Sequence, residues 1–413
     1  MMPWVQCLHP LVGELPSGIT IALPCVGANA GFQALQDLGH RGVKAVHMYD
    51  IDEACRKPLT ILHGQGPQSP TFHIGPTIGD ILRVVPDDLP CPDGLVSGPP
   101  CKFVASNGIH QPWEHPGMGV FDAVLRWIES FALRDMKFFV LENVKGLATK
   151  YQGRASVLEM ALARLQRSIP SFEIKVWWLN SKDYTLAQHR RRLYIIGVRR
   201  SVLTQSGRES IGLEPQAMPR CPLAWFLTRD APNVFLDELA PSQEQNLKAY
   251  TKLIMPYILD PAMQGKFACF DLSRKPEARY GPKWRVDDLV ETLTTNNGQL
   301  YIVSLGEGIQ APTVHRWLLL AERVRLQGLR PELFSACGRV DMKTLTGNAF
   351  AVPCIGVVLH FIMQVLTTAA DNAQAAPPAV PAIAVPAVAV PAVARSVSRS
   401  RSPVRSLVII EID

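Results

Sequence analysis

The chain has no run of roughly eighteen consecutive apolar residues, the length a helix needs to cross a bilayer, so no membrane span is expected. Met1 to Gly18 lacks the basic-then-apolar layout of a secretory signal, and the protein is expected to stay inside the cell. Nine cysteines occur, yet no two form a Cys-x-x-Cys pair. That argues against structural zinc and against a disulfide framework, and leaves most of them as small buried apolar residues. Charge imbalance is also slight. Forty-two Lys and Arg stand against 36 Asp and Glu, a net +6 over 413 residues, which is compatible with a polyanionic partner but does not demand one. No Gly-x-Gly-x-x-Gly follows the first strand-like run, which disfavours a nicotinamide-type dehydrogenase.

What is present is an alternation. Ile19–Cys25, Val43–Tyr49, Gly94–Val96, Phe138–Leu141, Ile174–Leu179 and Leu193–Val198 read as buried strands. Ala30–Leu38, Ile51–Leu62, Val120–Leu133 and Ser156–Gln166 read as the helices between them. Strand–helix alternation predicts an α/β fold with a doubly wound, mostly parallel sheet, whose ligands bind at the carboxyl ends of the strands. Five segments follow: an N-terminal extension over 1–18, a first α/β domain over 19–200, a second domain over 201–310, a return to the first over 311–366, and a tail over 367–413. The second domain is rich in Pro, Trp and irregular polar stretches. Helical periodicity resumes in Trp317–Leu326 and Ala349–Leu366. The tail repeats Ala, Pro and Val through Ala375–Ala394, then Arg-Ser dipeptides between Arg395 and Arg405. Such sequence cannot bury a core and is expected to be disordered.

Three short motifs sit where a doubly wound sheet puts its chemistry. Ser97-Gly98-Pro99-Pro100-Cys101 follows a strand as a stiff loop, and a cysteine there acts as a nucleophile only as thiolate. Alone, Pro-Pro-Cys reads equally well as a buried turn. Glu142-Asn143-Val144 closes another strand, where a carboxyl group with a raised pKa could donate a proton, or could simply cap a helix. Gln188, Arg190 and Arg192 lead into a third. Alternate spacing points the two arginines to one side, suited to phosphate or a base carbonyl, or to plain solvent.

In this order, the three motifs resemble the Pro-Cys, Glu-Asn-Val and Gln-x-Arg-x-Arg motifs of the cytosine-C5 DNA methyltransferase family. Asn180-Ser181-Lys182-Asp183-Tyr184, Thr292-Leu293-Thr294-Thr295, Arg325-Leu326-Gln327-Gly328 and Gly347-Asn348-Ala349 extend the resemblance over about Ile19 to Leu366. It implies a Rossmann-like methyltransferase fold in which 201–310 recognises the target. It also implies S-adenosyl-L-methionine as cofactor, DNA as partner, and no metal. Cys101 would attack C6 of a cytosine flipped out of the duplex, Glu142 would protonate N3, and Arg190 and Arg192 would hold the base oxygen and backbone. Gln188, Arg190 and Arg192 would contact nucleic acid. Gly27, Asp50, Ile51, Asp80 and Asn348 would bind the cofactor, with Asp50 on the ribose hydroxyls, Ile51 against adenine and Asp80 on its amino group.

The chain departs from the family at its first glycine motif. Phe-x-Gly-x-Gly-Gly becomes Pro24-Cys25-Val26-Gly27-Ala28-Asn29, where only Gly27 matches and the Cβ atoms of Cys25 and Ala28 are expected to crowd the cofactor. After Cys101 the usual Gln, Phe and Ser are Lys102, Val104 and Ala105. Two alternatives follow. A tRNA enzyme of the same family would carry Cys-Phe-Thr, of which Cys269-Phe270-Asp271 is a partial echo. A catalytically inactive nucleic-acid-binding relative would keep the pocket without cofactor. In the tail, Arg395–Arg405 resembles basic segments of nuclear proteins, and Val408–Asp413 a SUMO-interacting strand that adds to a sheet edge.

Overall fold

Branched and aromatic runs become strands here because both faces of the sheet are covered, so most strand interiors have apolar neighbours. The computed structural model describes residues 3–8, 18–40, 42–64, 70–101, 103–104, 115–232, 239–277, 284–295, 300–306 and 314–375. One compact unit spans Met1–Gln374. Its strands are β1 (Thr20–Pro24), β2 (Lys44–Asp50), β3 (Phe72–Ile74), β4 (Gly94–Ser97), β5 (Phe138–Val144), β6 (Phe172–Asn180), a two-residue β7 (Gln188–His189) and β8 (Arg191–Arg199). All but β7 form a seven-stranded sheet in the order β3-β2-β1-β4-β5-β8-β6. It is parallel from β3 to β5, and β8 runs antiparallel to both its neighbours. The fold is therefore the expected mostly parallel, doubly wound α/β sheet.

The helices are α1 (Pro3–Gln6), α2 (Ala30–Asp37), α3 (Arg56–His63), α4 (Gly119–Arg134), α5 (Val157–Ser168), α6 (Gln205–Ser210), α7 (Pro241–Leu259), α8 (Leu320–Leu326), α9 (Arg339–Asn348) and α10 (Val352–Ala375). Alternation along β5 divides the core in two. Phe138 and Val140 join Ile196, Leu59 of α3 and Ile355 of α10 on one face. Phe139 and Leu141 join Phe121 and Ile128 of α4 and Leu165 of α5 on the other. Among the described residues no single helix is long and apolar enough to cross a membrane.

Several boundaries differ from the sequence reading for local reasons. The helix expected from Ile51 starts later, because the Asp52 carboxylate accepts the Ala54 N–H at 3.0 Å and caps a short 3-10 turn. Ile51 is thereby left outside the helix, 57% exposed. Ser156 is the cap of α5 rather than its first turn, paired reciprocally with Glu159. Trp317, expected in a helix, ends a strand opposite Tyr301. The last helix passes the expected limit at Leu366 and reaches Ala375. Val365, Leu366 and Thr367 are buried there, and the Thr367 hydroxyl donates to the Met363 carbonyl at 2.8 Å. The tail motifs Arg395–Arg405 and Val408–Asp413 lie outside the described residues.

The region after Arg200 carries its own antiparallel sheet. It comprises β9 (Phe267–Asp271), β10 (Trp284–Arg285), β12 (Leu300–Ser304) and β13 (His315–Trp317), in the order β10-β9-β12-β13. Between them, β11 (Val290–Glu291) pairs in parallel with β7. Tyr250 of α7 stacks on Phe270 at 4.8 Å between ring centroids, beside Ile254 and Tyr301 in a separate apolar cluster.

Candidate active site at the carboxyl edge of the sheet

In the order β3-β2-β1-β4-β5 the chain direction of growth reverses between β1 and β4, and at such a switch point the two following loops diverge and leave a crevice. The loop after β1 is Cys25–Asn29, and the loop after β4 leads to Cys101. The Ser97 hydroxyl donates to the Pro24 carbonyl at 2.6 Å and ties the two together.

Three backbone positions in the first loop have left-handed φ: Cys25 at 58°, Gly27 at 52° and Asn29 at 54°. Asn is a non-glycine residue that visits this region readily, and here its side chain also accepts the Phe32 N–H at 3.2 Å to cap α2. Asn29 thus holds a left-handed conformation that glycine adopts most readily. Ala28 packs into one core cluster and Cys25 against the other. A Cβ placed on Gly27 would meet nothing within 4 Å, so the loop's outer side is open. Asp50, ending β2, accepts the Gly27 N–H at 2.8 Å and the Asp52 N–H at 3.0 Å. Burial raises its carboxyl pKa, and those two amides oppose the shift. Asp80 is brought alongside by the loop after β3. There the Gly75 N–H donates to the Asp50 carbonyl at 2.8 Å, and Gly79 has no room for a side chain against that same carbonyl. Asp80 caps the next turn through the Leu82 N–H and pairs with Arg83 at 3.3 Å. Asn348 ends α9 and is exposed.

Cys101 is half-buried. Its loop is held by Asn143, whose side chain donates to the Pro99 carbonyl at 3.3 Å. Glu142, one residue earlier on β5, is 7% exposed and faces Tyr194 across the ladder. Arg192 on β8 brings its Nε within 3.2 Å of Glu142 Oε1. The N–H does not align with that oxygen, which keeps no hydrogen bond although buried. Burial raises the Glu142 pKa, against Arg192 and then Arg190. Burial also raises the Cys101 thiol, reinforced by the Glu142 charge and opposed by the same two arginines. A thiol, a carboxyl group and a guanidinium are therefore brought together at one strand edge.

Arg190 and Gln188 are used differently from that reading. Arg190 is 3% exposed, and its guanidinium donates to the carbonyls of Leu293 at 2.9 Å, Gly347 at 3.3 Å and Ala349 at 2.8 Å. Burial lowers its pKa to about 10. Gln188 is fully buried and donates to the Leu326 carbonyl at 3.0 Å. Neither presents its donors to a partner outside the fold. Both fasten the late motifs to the sheet. Arg323 takes the Thr294 carbonyl at 3.1 Å, and Gly347 lies so close to Thr294–Thr295 that a Cβ there would overlap the backbone. The sequence reading named Asn29, Ser97 and Asn180 (which accepts the Arg190 N–H at 3.0 Å) within motifs but gave them no role, and it did not name Arg323. Only Asn29 carries a readable signal, a capping residue between strand and helix. Cys269 and Phe270, the echo of the tRNA branch, are buried core residues of β9. A cavity of about 460 Å³ lined by Trp177, Met218 and Phe361 holds none of the predicted site residues.

The C-5 cytosine-specific DNA methylase family model matches residues 71–364. The orphan methyltransferase M.SPRI of Bacillus phage SPR is 30% identical over 178 residues, 43% of this chain and 37% of that protein. The type II methyltransferase M.NgoPII of Neisseria gonorrhoeae is 31% identical over 128 residues, 30% of this chain and 35% of that protein. The similarity thus spans little more than a third of either relative. Among solved structures, Entamoeba histolytica methyltransferase EhMeth superposes with a TM-score of 0.57 at 12% identity, covering 84% of this chain and 98% of that one. A Spodoptera frugiperda DNMT2 mutant gives 0.56 at 14% identity, covering 84% and 99%. These two share the fold. A family match across most of the chain, on a sheet whose edge joins Cys101, Glu142 and Arg192, means that the chain belongs to the C-5 cytosine-specific DNA methylases.

Proposed function

We propose that the chain methylates carbon 5 of cytosine in DNA, using S-adenosylmethionine and a transient covalent bond from Cys101 to the base. The observation that carries this reading is the buried Glu142 Oε1, left without a hydrogen bond beside a thiol and an arginine. A buried polar atom without a partner costs about 1–3 kcal/mol, and a base edge that hydrogen-bonds it on binding recovers that cost.

One proton serves two groups. While Glu142 is ionised its charge disfavours a thiolate at Cys101. Passing the thiol proton to Glu142 creates the nucleophile and the acid together. The thiolate adds to C6 of a flipped cytosine, and the Glu142 proton goes to N3, so the addition leaves a neutral enamine rather than an anion. Arg192 balances charge at the base and at Glu142. S-adenosylmethionine, when bound, supplies the methyl group that C5 accepts. A solvent water takes the C5 proton, the C5–H electron pair becomes the C5–C6 double bond, Cys101 leaves as thiolate, and N3 returns its proton to Glu142.

The first loop fits such a cofactor. Gly27 leaves open space, Asp50 is fixed by two amides with lone pairs remaining, and Ile51 offers an exposed apolar side. The sequence relatives reported above come from a bacterium and a phage, which lends no support to a nuclear location or to a SUMO-type partner at Val408–Asp413.

Duplex DNA containing 5-fluorocytosine tests the reading, since fluorine cannot leave as a proton does. Wild type with cofactor should form an adduct stable on a denaturing gel, and Cys101→Ala none. Absence of any wild-type adduct would sink the proposal. An adduct formed only with fluorocytosine-containing RNA would move the substrate to RNA.

A further inference from the structure

Arg190 immediately precedes β8, Arg191 and Arg192 open it, and two of the three are committed within the fold. Arg190 holds backbone carbonyls, and Arg192 faces Glu142. Strand alternation turns Arg191 to the opposite face. There it is exposed, opposite Asn180 in the ladder, and its guanidinium lies 5.3 Å from the centre of the Trp178 ring. Stacking on an aromatic face holds a guanidinium in place while leaving its N–H edge free to bind.

The nearby acids are otherwise engaged. Asp183 pairs with Lys182 at 2.9 Å, and Glu214 accepts the Trp178 N–H at 2.7 Å. Among the described residues Arg191 enters no ion pair, although Arg192–Glu142 and Lys182–Asp183 flank it. Because β8 is antiparallel to β5, its first residues lie at the carboxyl edge, where the Cys101 loop also emerges from β4. From β4 to β8 is two strand spacings, about 10 Å. Each strand of a duplex carries a phosphate about every 3.4 Å of helix axis, so a base seated over Cys101 brings a neighbouring phosphate within that range.

We infer that Arg191, braced on Trp178, binds a backbone phosphate next to the cytosine held at Cys101. The contact adds affinity without reading sequence, and it rests on the DNA substrate proposed above. The ligand chemistry is a phosphodiester, met by a planar fork of donors.

Titration of the full-length chain with a fluorescent duplex, from about 50 to 200 mM salt, tests this. Each phosphate contact contributes about −0.9 to the slope of log K against log salt, so Arg191→Ala should reduce the slope by about 0.9 and weaken binding about fivefold near 0.15 M. The loss should be alike for every duplex sequence and fall on KM for DNA rather than on kcat. Arg191→Lys should restore the slope. An unchanged slope in Arg191→Ala, or an equal loss in kcat, overturns the assignment while leaving DNA as substrate. A wild type with no affinity for DNA overturns both.

Discussion

Two buried acid–arginine pairs, one in each sheet region, look alike in sequence and behave in opposite ways. In the smaller region Arg316 and Glu322 are 3% and 0% exposed and meet through two parallel hydrogen bonds of 3.0 and 2.7 Å. Glu322 also accepts the N–H groups of Thr228 and Leu319, both at 2.7 Å, and Arg316 donates to the carbonyls of Trp317 and Thr228. Nothing on that pair is left to react. At the carboxyl edge of the larger sheet, Arg192 reaches Glu142 off-axis and leaves Oε1 without a hydrogen bond. The same two residue types therefore saturate each other in one region and leave an acceptor open in the other. Satisfaction of their lone pairs separates the roles, and burial does not.

Glu142→Gln attacks the unsatisfied pair and carries the largest expected effect. Shape is kept and the proton donor lost, so kcat should fall about 10²- to 10⁴-fold in a methyl-transfer assay, with DNA affinity little changed. Its stability should move the other way. A carboxyl with a raised folded-state pKa contributes stability that is fully present below its unfolded value, about 4.3, and is lost as pH rises through the folded one. The variant lacks that loss, so its Tm relative to wild type should improve as pH climbs from 4 to 8. A Tm difference that shifts against the variant over that range would mean the ionised carboxylate is net stabilising.

Glu322→Ala breaks the satisfied pair and should reverse the pattern. Arg316 would be left charged and buried, which costs about 3–5 kcal/mol of stability. Chemical denaturation should register that loss, while kcat per folded molecule stays near wild type at low temperature. A variant of normal stability would show that the two pairs differ less than their hydrogen bonds imply.

The smallest effect is expected outside both regions. Truncation after Gln374 keeps the buried end of α10 and should leave methyl transfer within about threefold, under ~0.8 kcal/mol in barrier height. Truncation after Gln364 removes buried Val365, Leu366 and Thr367 and should lower the denaturation midpoint. If both truncations behave alike, the last turns of α10 add nothing to the core.

Much of the larger sheet was legible because six of its seven strands contain a short apolar run, whereas the three-residue β3 (Phe72–Ile74), with a histidine at its centre, left no such run to read. The antiparallel sheet after Arg200 was not, since its strands are brief and separated by Pro and charge. Within the site, Cys101 and Glu142 were readable as residues that follow or close an apolar run, although Glu142 itself is buried. The three arginines were not separable. Period-2 alternation assigns Arg190 and Arg192 to one face and stops there.

The sequence by itself determined the sheet class, the family and the residues at the strand ends, because periodicity and motif order are local and survive translation into structure. Only the tertiary structure decided that Arg190 belongs to carbonyls of Leu293, Gly347 and Ala349, more than a hundred residues away. Only the structure decided that Arg192 meets Glu142, and that Asn29 takes a glycine's conformation. The physical reason is the same throughout. A buried donor or acceptor must find its partner wherever the chain returns, and hydrogen-bond satisfaction across long separations leaves no periodic trace in the sequence.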